Sequence, residues 1–316
     1  MAEITVIGSI NIDIVALTER YPSHSETLFG NSVKMLCGGK GANQAVACAR
    51  LGKSVEIIGA IGLDPYGEVI EENFINNQVG THFLKRVEQE STGCAIITVD
   101  ASAENTMLVV KGANDSLTEQ DIHHAFSQIE SSKVLLVQME IPEETVIRAM
   151  IEAKNKGMFI LLDPAPAEGV TKQALRYADL ITPNLQETKQ LTGIEVTSIE
   201  TAIEAAIYFD QSLGVKNSVI KMAEKGALIY ECGTSKFIEA VKVKAVDTVG
   251  AGDSYAGALA CALADEVDLE QAARFAAIVA AMKVSKLGAQ TGLPTIAEVN
   301  EYCKENNLNY YGLRTC

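Results

Sequence analysis

Asp247-Thr248-Val249-Gly250-Ala251-Gly252-Asp253-Ser254 follows an apolar run ending at Ala245-Val246, which reads as a strand. It leads into Gly252–Leu263, rich in Ala, Leu and Gly, which reads as a buried helix. A helix N-terminus therefore opens at two glycines and a carboxylate. Free backbone N–H groups and the positive end of a helix dipole make such a place an anion site. Beside a bound anion, Asp253 is placed to take a proton from an incoming hydroxyl. The combination points to phosphate transfer to an alcohol.

The same strand-then-helix rhythm extends outward from this stretch. Short β-rich runs recur at Ile4–Gly8, Val55–Ile61, Val134–Met139, Met158–Leu162, Leu180–Thr182 and Ser218–Met222. Helical-period segments at Gly41–Leu51, Pro65–Gln78, Thr118–Ile129, Glu143–Lys156 and Ile199–Ser212 separate many of them. Alternation of this kind predicts βαβ units and a doubly wound, mostly parallel α/β sheet covered on both faces. Two excursions, about 11–37 and 92–110, break the rhythm with β-rich sequence. They are expected to pair into a small β-sheet that serves as a lid or a dimer surface. No Pro/Ser-rich linker divides the chain, so residues 1–316 are expected to form one domain.

Composition narrows the function. A chain of 316 residues with 47% apolar residues and no Trp can bury a large aliphatic core. A net charge of −15 argues against a nucleic-acid polymer as partner. The seven cysteines (37, 48, 94, 232, 261, 303 and 316) are odd in number and contain no CxxC, which favours reduced thiols in the cytoplasm. No uncharged run reaches the ~18–20 residues of a membrane span, and no secretory leader is read at the N-terminus.

Several clusters carry possible chemistry. Gly38-Gly39-Lys40-Gly41-Ala42-Asn43 enters a helix, and its glycines allow close backbone approach while Lys40 and Asn43 offer donors to a polyol or phosphate. An ordinary Gly-rich turn with Lys40 in solvent is the bland alternative. Asn11 and Asp13 alternate along an extended segment, suited to sugar hydroxyls or to turns. Glu140 closes an apolar run at a strand's C-terminal end, where open α/β sheets place ligands. Asn184 and Glu187 have the spacing of a capping box, and equally of a Mg²⁺ site held through water; both roles can coexist. Gly52-Lys53-Ser54 is no P-loop, because its glycine ends a helix and a strand follows. A GxGxxG fingerprint is absent too, with Tyr255 where the third glycine belongs. The histidines (24, 82, 123 and 124) have no metal-binding spacing and read as surface or satisfied residues.

These motifs together resemble the ribokinase, or phosphofructokinase-B, family of carbohydrate kinases over nearly the whole chain. The resemblance is carried by Gly8–Asp13, Gly38–Ala45, Ile181–Glu187, Asp247–Asp253 and Lys286–Pro294. It implies MgATP and a small sugar as substrates, D-ribose at its 5-hydroxyl above others, with deoxyribose, another carbohydrate or a nucleoside as alternatives. A sugar sensor without catalysis is the remote one. By position it puts Asn11, Asp13, Gly39, Lys40, Asn43 and Glu140 around the sugar and makes Asp253 the general base. The backbone of Gly250, Ala251, Gly252 and Asp253 becomes the anion hole. Asn184, Lys221, Ala223, Glu224, Lys225, Gly226 and Ala277 fall at the nucleotide, and Glu187 at Mg²⁺ through water. A monovalent cation, K⁺ as activator, would correspond to Asp247, Val249, Lys283, Lys286, Gly288 and Gly292, many through carbonyl oxygens. A homodimer through the lids is implied as well. Gly292 stands where the family usually has Ser, Ala223 where it often has Gly, Lys221 where Thr is found, and Ala277 where a polar residue is common.

Overall fold

The computed structural model describes residues 2–102 and 104–312. Ala103, at the tip of an expected hairpin, and Cys316 lie outside them. The first half runs β1 (Ile4–Ile7), β2 (Asn11–Leu17), β3 (Ser32–Gly38), α1 (Lys40–Arg50), β4 (Val55–Gly62), α2 (Pro65–Asn76), β5 (Gly80–Val87), β6 (Gly93–Val99), β7 (Asn105–Val110), α3 (Glu119–Gln128), β8 (Val134–Val137) and α4 (Glu143–Asn155). It continues with β9 (Phe159–Leu162), α5 (Lys172–Tyr177), β10 (Leu180–Ile181), α6 (Leu185–Thr192), α7 (Ile199–Leu213), β11 (Asn217–Lys221), β12 (Gly226–Glu231), β13 (Thr234–Glu239), α8 (Ala251–Ala264), α9 (Leu269–Val284) and α10 (Ile296–Glu305).

Nine strands form the main sheet, in the order β13-β12-β11-β10-β9-β8-β1-β4-β5. Pairing is parallel from β5 across to β11 and antiparallel through β12 and β13. The apolar alternation explains the two-sided burial. Ile4 and Val6 of β1 and Val134 and Leu136 of β8 face the layer that contains α1, α8 and α9. Ile7, Leu135 and Val137 face the layer of α3, α4 and α7. After β1 the chain builds β4 and β5 on one side of it and later returns to place β8 on the other. That reversal creates a crevice beyond the strand ends, the usual ligand position in open α/β sheets. Gly8-Ser9 on one side and Gln138–Glu140 on the other line it.

The six β-rich runs of the main sheet are β1, β4, β8, β9, β10 and β11, and the expected helical segments are α1, α2, α3, α4 and α7. The two excursions form a separate four-stranded sheet, β3-β2-β6-β7, with β6 and β7 as the hairpin. One expectation fails: the run ending at Ala245-Val246 is not a strand. The main sheet already ends at β13, so this segment has no neighbouring strand. Its Val246 and Asp247 N–H groups instead both donate to the Val284 carbonyl at the end of α9, at 2.7 and 3.1 Å. The β12–β13 hairpin turns on Cys232 and Gly233, both at positive φ, as a two-residue hairpin requires.

Small residues set the packing of α8. Ala256, Ala258, Ala260, Ala262 and Ala264 are buried, as are Ala272, Ala273 and Ala276 of the adjoining α9. Gly257 faces α1 so closely that an added Cβ would lie 2.8 Å from the Ala47 Cβ. Among the described residues, no helix is long and apolar enough to cross a membrane.

Candidate active site

Two helices open onto the crevice without a side-chain cap, α1 after Gly39 and α8 after Gly250. Gly250 has φ 77°, a conformation that glycine adopts without the penalty of a Cβ. The Ala251 N–H closes a turn on the Thr248 carbonyl at 3.1 Å. Among the described residues the Gly252 and Asp253 amides have no hydrogen-bond partner. The Gly250 amide is likewise without one, so of the four amides expected at the anion hole only that of Ala251 is engaged within the fold.

Asp253 is buried, and both its oxygens are held by neutral amides. Asn43 Nδ2 donates to Oδ2 at 2.8 Å, and Gln44 Nε2 donates to Oδ1 at 3.0 Å. Burial pushes the Asp253 carboxyl above the usual carboxylate range, against the opposing pull of Lys40. Gln44 Nε2 also donates to Asp163 Oδ2 at 2.9 Å, so one amide bridges two buried carboxylates. Gln138 fixes the other end of that amide by donating to Gln44 Oε1. Asp163 further accepts from the Lys221 ammonium at 2.9 Å and from Thr182 Oγ1 at 3.2 Å. On the far side, Gln290 Nε2 donates to Asn43 Oδ1 at 3.0 Å. Only the Gln138 Oε1 oxygen of this buried network lacks a partner among the described residues, and the paired remainder rigidifies the site.

The residues expected around the sugar gather at the same crevice. Lys40 Nζ lies 3.5 Å from Glu140 Oε1, and Ser9 bridges the two by donating to Glu140 and accepting from the Lys40 backbone N–H. Lys40 would be lowered by its burial, but Glu140, Asp253, Asp163 and Glu187 outweigh that and hold its ammonium above the usual lysine range. Asp13 lies over Gly38, with its carboxylate where a Cβ on that glycine would stand. Burial, then the charges of Glu140 and Asp253, raise the Asp13 carboxyl to about 6. Asn11 Oδ1 is engaged by Asn114 Nδ2 at 2.9 Å. Glu140 lies three residues past the end of β8, near the strand's C-terminal end as expected. Gly41 packs on Gly8 so tightly that a Cβ would meet the Gly8 carbonyl carbon at 2.6 Å. Gly39 and Gly41 of this motif therefore serve backbone approach, as read from sequence, whereas Gly38 makes room for the Asp13 carboxylate.

Asn184 and Glu187 form a reciprocal capping box at α6. Burial pushes the Glu187 carboxyl up, with Lys221 opposing. Lys221 ends β11 close to the α8 start: a Cβ on Gly252 would stand 3.6 Å from its ammonium. Ala223, Glu224 and Lys225 form a short turn after β11, with Ala223 at φ 51° and Gly226 beginning β12. Lys225 Nζ turns away to the Thr197 carbonyl at 3.0 Å, and Ala277 is half-buried on α9.

The loop around Asp247 is tied on both sides. Its carboxylate accepts from the Val249 N–H at 3.0 Å and from the Gly288 N–H at 2.7 Å. The ammonium of Lys283, a fully buried side chain, donates to the Asp247 carbonyl at 2.9 Å. Lys286 instead pairs with Glu298 at 2.6 Å, and Val249 is exposed.

Sequence reasoning missed Asp163, Gln44, Gln138, Thr182 and Gln290. Asp163 had a usable signal, as an acid directly after the buried run Phe159–Leu162; the others are single polar residues whose partners are remote in sequence.

Comparison with known proteins supports the same assignment. The profile of the pfkB family carbohydrate kinases matches residues 1–296. A ribokinase of Haemophilus influenzae is 39% identical over 299 residues, covering 95% of this chain and 97% of that protein. A deoxyribokinase of Salmonella typhi is 36% identical over 307 residues, covering 96% and 99%. Among solved structures, ribokinase from Thermotoga maritima superimposes with a TM-score of 0.88 at 36% identity, covering 96% of this chain and all of that one. Ribokinase of Arabidopsis thaliana, solved with ribose and ATP, gives 0.88 at 28% identity, covering 96% and 99%. The chain belongs to the pfkB, or ribokinase, family of carbohydrate kinases. It is an ATP-dependent carbohydrate kinase.

Proposed function

We propose that this kinase phosphorylates D-ribose at its 5-hydroxyl. Asn11, Asp13, Gly39, Lys40, Asn43 and Glu140 hold the sugar hydroxyls. Asp253 takes the proton of the 5-hydroxyl as that oxygen bonds to the γ-phosphorus and the bond to the β–γ bridging oxygen breaks, releasing ADP. The Gly252 and Asp253 amides hydrogen-bond the transferring phosphoryl oxygens, and the Lys221 ammonium adds positive charge beside them. Mg²⁺ on the nucleotide would be held through water near Asn184 and Glu187, whose oxygen donors suit it. It supplies neutralisation of phosphate charge. The nucleotide lies along Lys221–Gly226 toward Ala277.

The observation that carries this reading is Asp253 itself. Its carboxylate is aimed by Asn43 and Gln44, and it stands in the same helical turn as two unpartnered amides. The small sheet acts as the lid that excludes water. Its exposed Val33, Met35, Met107 and Leu108 suit a homodimer contact, which sedimentation would test. The unpaired cysteines suit a cytoplasmic enzyme.

Deoxyribose is the second reading, favoured by the 36% identity to the Salmonella protein. ADP release with ribose, deoxyribose, fructose and adenosine separates the two. Fast turnover on ribose is expected; preference for another acceptor overturns the substrate and keeps the mechanism.

A further inference from the structure

The residues implied as ligands of a monovalent cation do not fit one in this chain. The Lys283 side chain is fully buried, and its ammonium already stands on the Asp247 carbonyl, 2.9 Å away and 3.7 Å from the Asp247 carboxylate. Two further carbonyls of the set are engaged: Lys283 O accepts from the Lys286 N–H, and Gly288 O from the Gly292 N–H, both at 3.0 Å. Gly292 has no hydroxyl to offer and no room for one. A Cβ there would stand 2.7 Å from the Gly288 carbonyl oxygen and 3.2 Å from that of Lys286. The loop has closed where a side-chain ligand would enter.

We propose that Lys283 supplies, as a tethered ammonium, the positive charge otherwise provided there by a free monovalent cation, and that the kinase therefore works without potassium. Burying an ammonium costs several kcal/mol unless it is paired, so its retention here calls for a compensating partner. Asp247 is that partner, and it also grips both loops through the Val249 and Gly288 amides. Val249 immediately precedes Gly250, the start of α8. A fixed charge at Asp247 thus holds the backbone that aims the Gly252 and Asp253 amides, which is electrostatic preorganisation. Because the charge is covalently attached, its local concentration does not follow the medium. Lys283 acts through Asp247 and the α8 start, so it is a positioning residue.

The inference rests on the kinase reading, and its test keeps the two apart. Turnover of the wild-type enzyme is compared in tetramethylammonium and potassium chloride at equal ionic strength. Equal rates are expected, and a tenfold gain with potassium overturns the proposal. Lys283→Met should lose roughly 10²-fold in kcat without potassium, the scale of a lost oxyanion donor. Potassium or methylammonium should restore much of it. Full activity of this variant without either cation would show a merely structural lysine and overturn the proposal. Should the variant not fold, two readouts on the wild type still decide. A ligand that binds the native state raises the melting midpoint in a saturable way, so potassium is expected to leave Tm unchanged, and the thallium-205 resonance should show no bound ion. Saturable stabilisation or bound thallium overturns the proposal. These two need no turnover, so failure on every sugar would defeat the acceptor reading alone.

Discussion

The first turns of α10 and α8 carry an acid at the same helical position, the third, and use it in opposite ways. In α10 the Glu298 carboxylate folds back onto the Thr295 N–H at 2.7 Å, and Thr295 Oγ1 accepts from the Glu298 N–H at 3.3 Å. That box satisfies the helix and leaves nothing for a ligand. In α8 the cap position is Gly250, which has no side chain to reciprocate. Asp253 turns instead to Asn43 and Gln44, 210 and 209 residues away in sequence. The N–H groups left open beside it are what a phosphoryl group needs. In α10 the acid serves its own backbone, whereas in α8 the glycine cap leaves the acid to partners elsewhere in the molecule, which suits the catalytic role proposed for it.

The largest expected effect strikes the released acid. Asp253→Asn should lower kcat by roughly 10²–10⁴-fold, the scale of a positioned base, while sugar and ATP still bind by calorimetry. Near-normal turnover would break the comparison at its root. Because burial raises the Asp253 carboxyl, protonation should extinguish kcat at a higher pH than an ordinary aspartate would, as pH falls.

Asp13 extends the contrast to an acid proposed to bind the sugar. Its carboxyl is raised to about 6 from 3.8, so the folded protein takes up this proton more readily than the unfolded chain. Its contribution to stability is therefore complete below pH 3.8 and is lost as pH rises to about 6. Asp13→Asn should stabilise the sugar-free protein at neutral pH by on the order of 3 kcal/mol, from 1.36 kcal/mol per pKa unit. The gain should fade as pH falls from about 6 toward 3.8, and sugar affinity should drop at every pH. Denaturant melts at several pH values check the sign.

Gly250→Ala places a Cβ at φ 77°, 3.1 Å from the Ala289 Cα. It should cost about 1–2 kcal/mol in a melt and also depress kcat. Thr295→Ala should cost about 1 kcal/mol, the usual value of a cap, with kcat/KM unchanged. Loss of activity in that variant would erase the distinction between the two helix starts.

The Asn184-x-x-Glu187 box was legible in sequence because both partners lie within four residues; the Thr295–Glu298 box has the same local form but was not singled out. The buried strands were legible for a similar reason: a run such as Val134–Val137 states its burial locally. The glycine-rich starts of α1 and α8 were visible as places of close approach. Their partners were not, since Gln44 meets Asp163 and Gln138 only once β8 and β9 lie side by side. The strand expected at Ala245-Val246 failed because an apolar run does not say whether a neighbour is there to pair with it. Lys283 was named only as one of the residues the resemblance implies around a monovalent cation, and only the fold shows its ammonium turned inward onto Asp247.

The alanines of α8 have a further consequence. Alanine has no rotamers to lose on burial, so ordering this helix costs little side-chain entropy beyond the backbone. Asp253 is thus mounted on a helix much of whose buried surface has no rotamers to sample, and its carboxylate is fixed by two amides. If it acts as the proposed base, part of the disorder that would otherwise be lost on reaching the transition state has already been given up in folding.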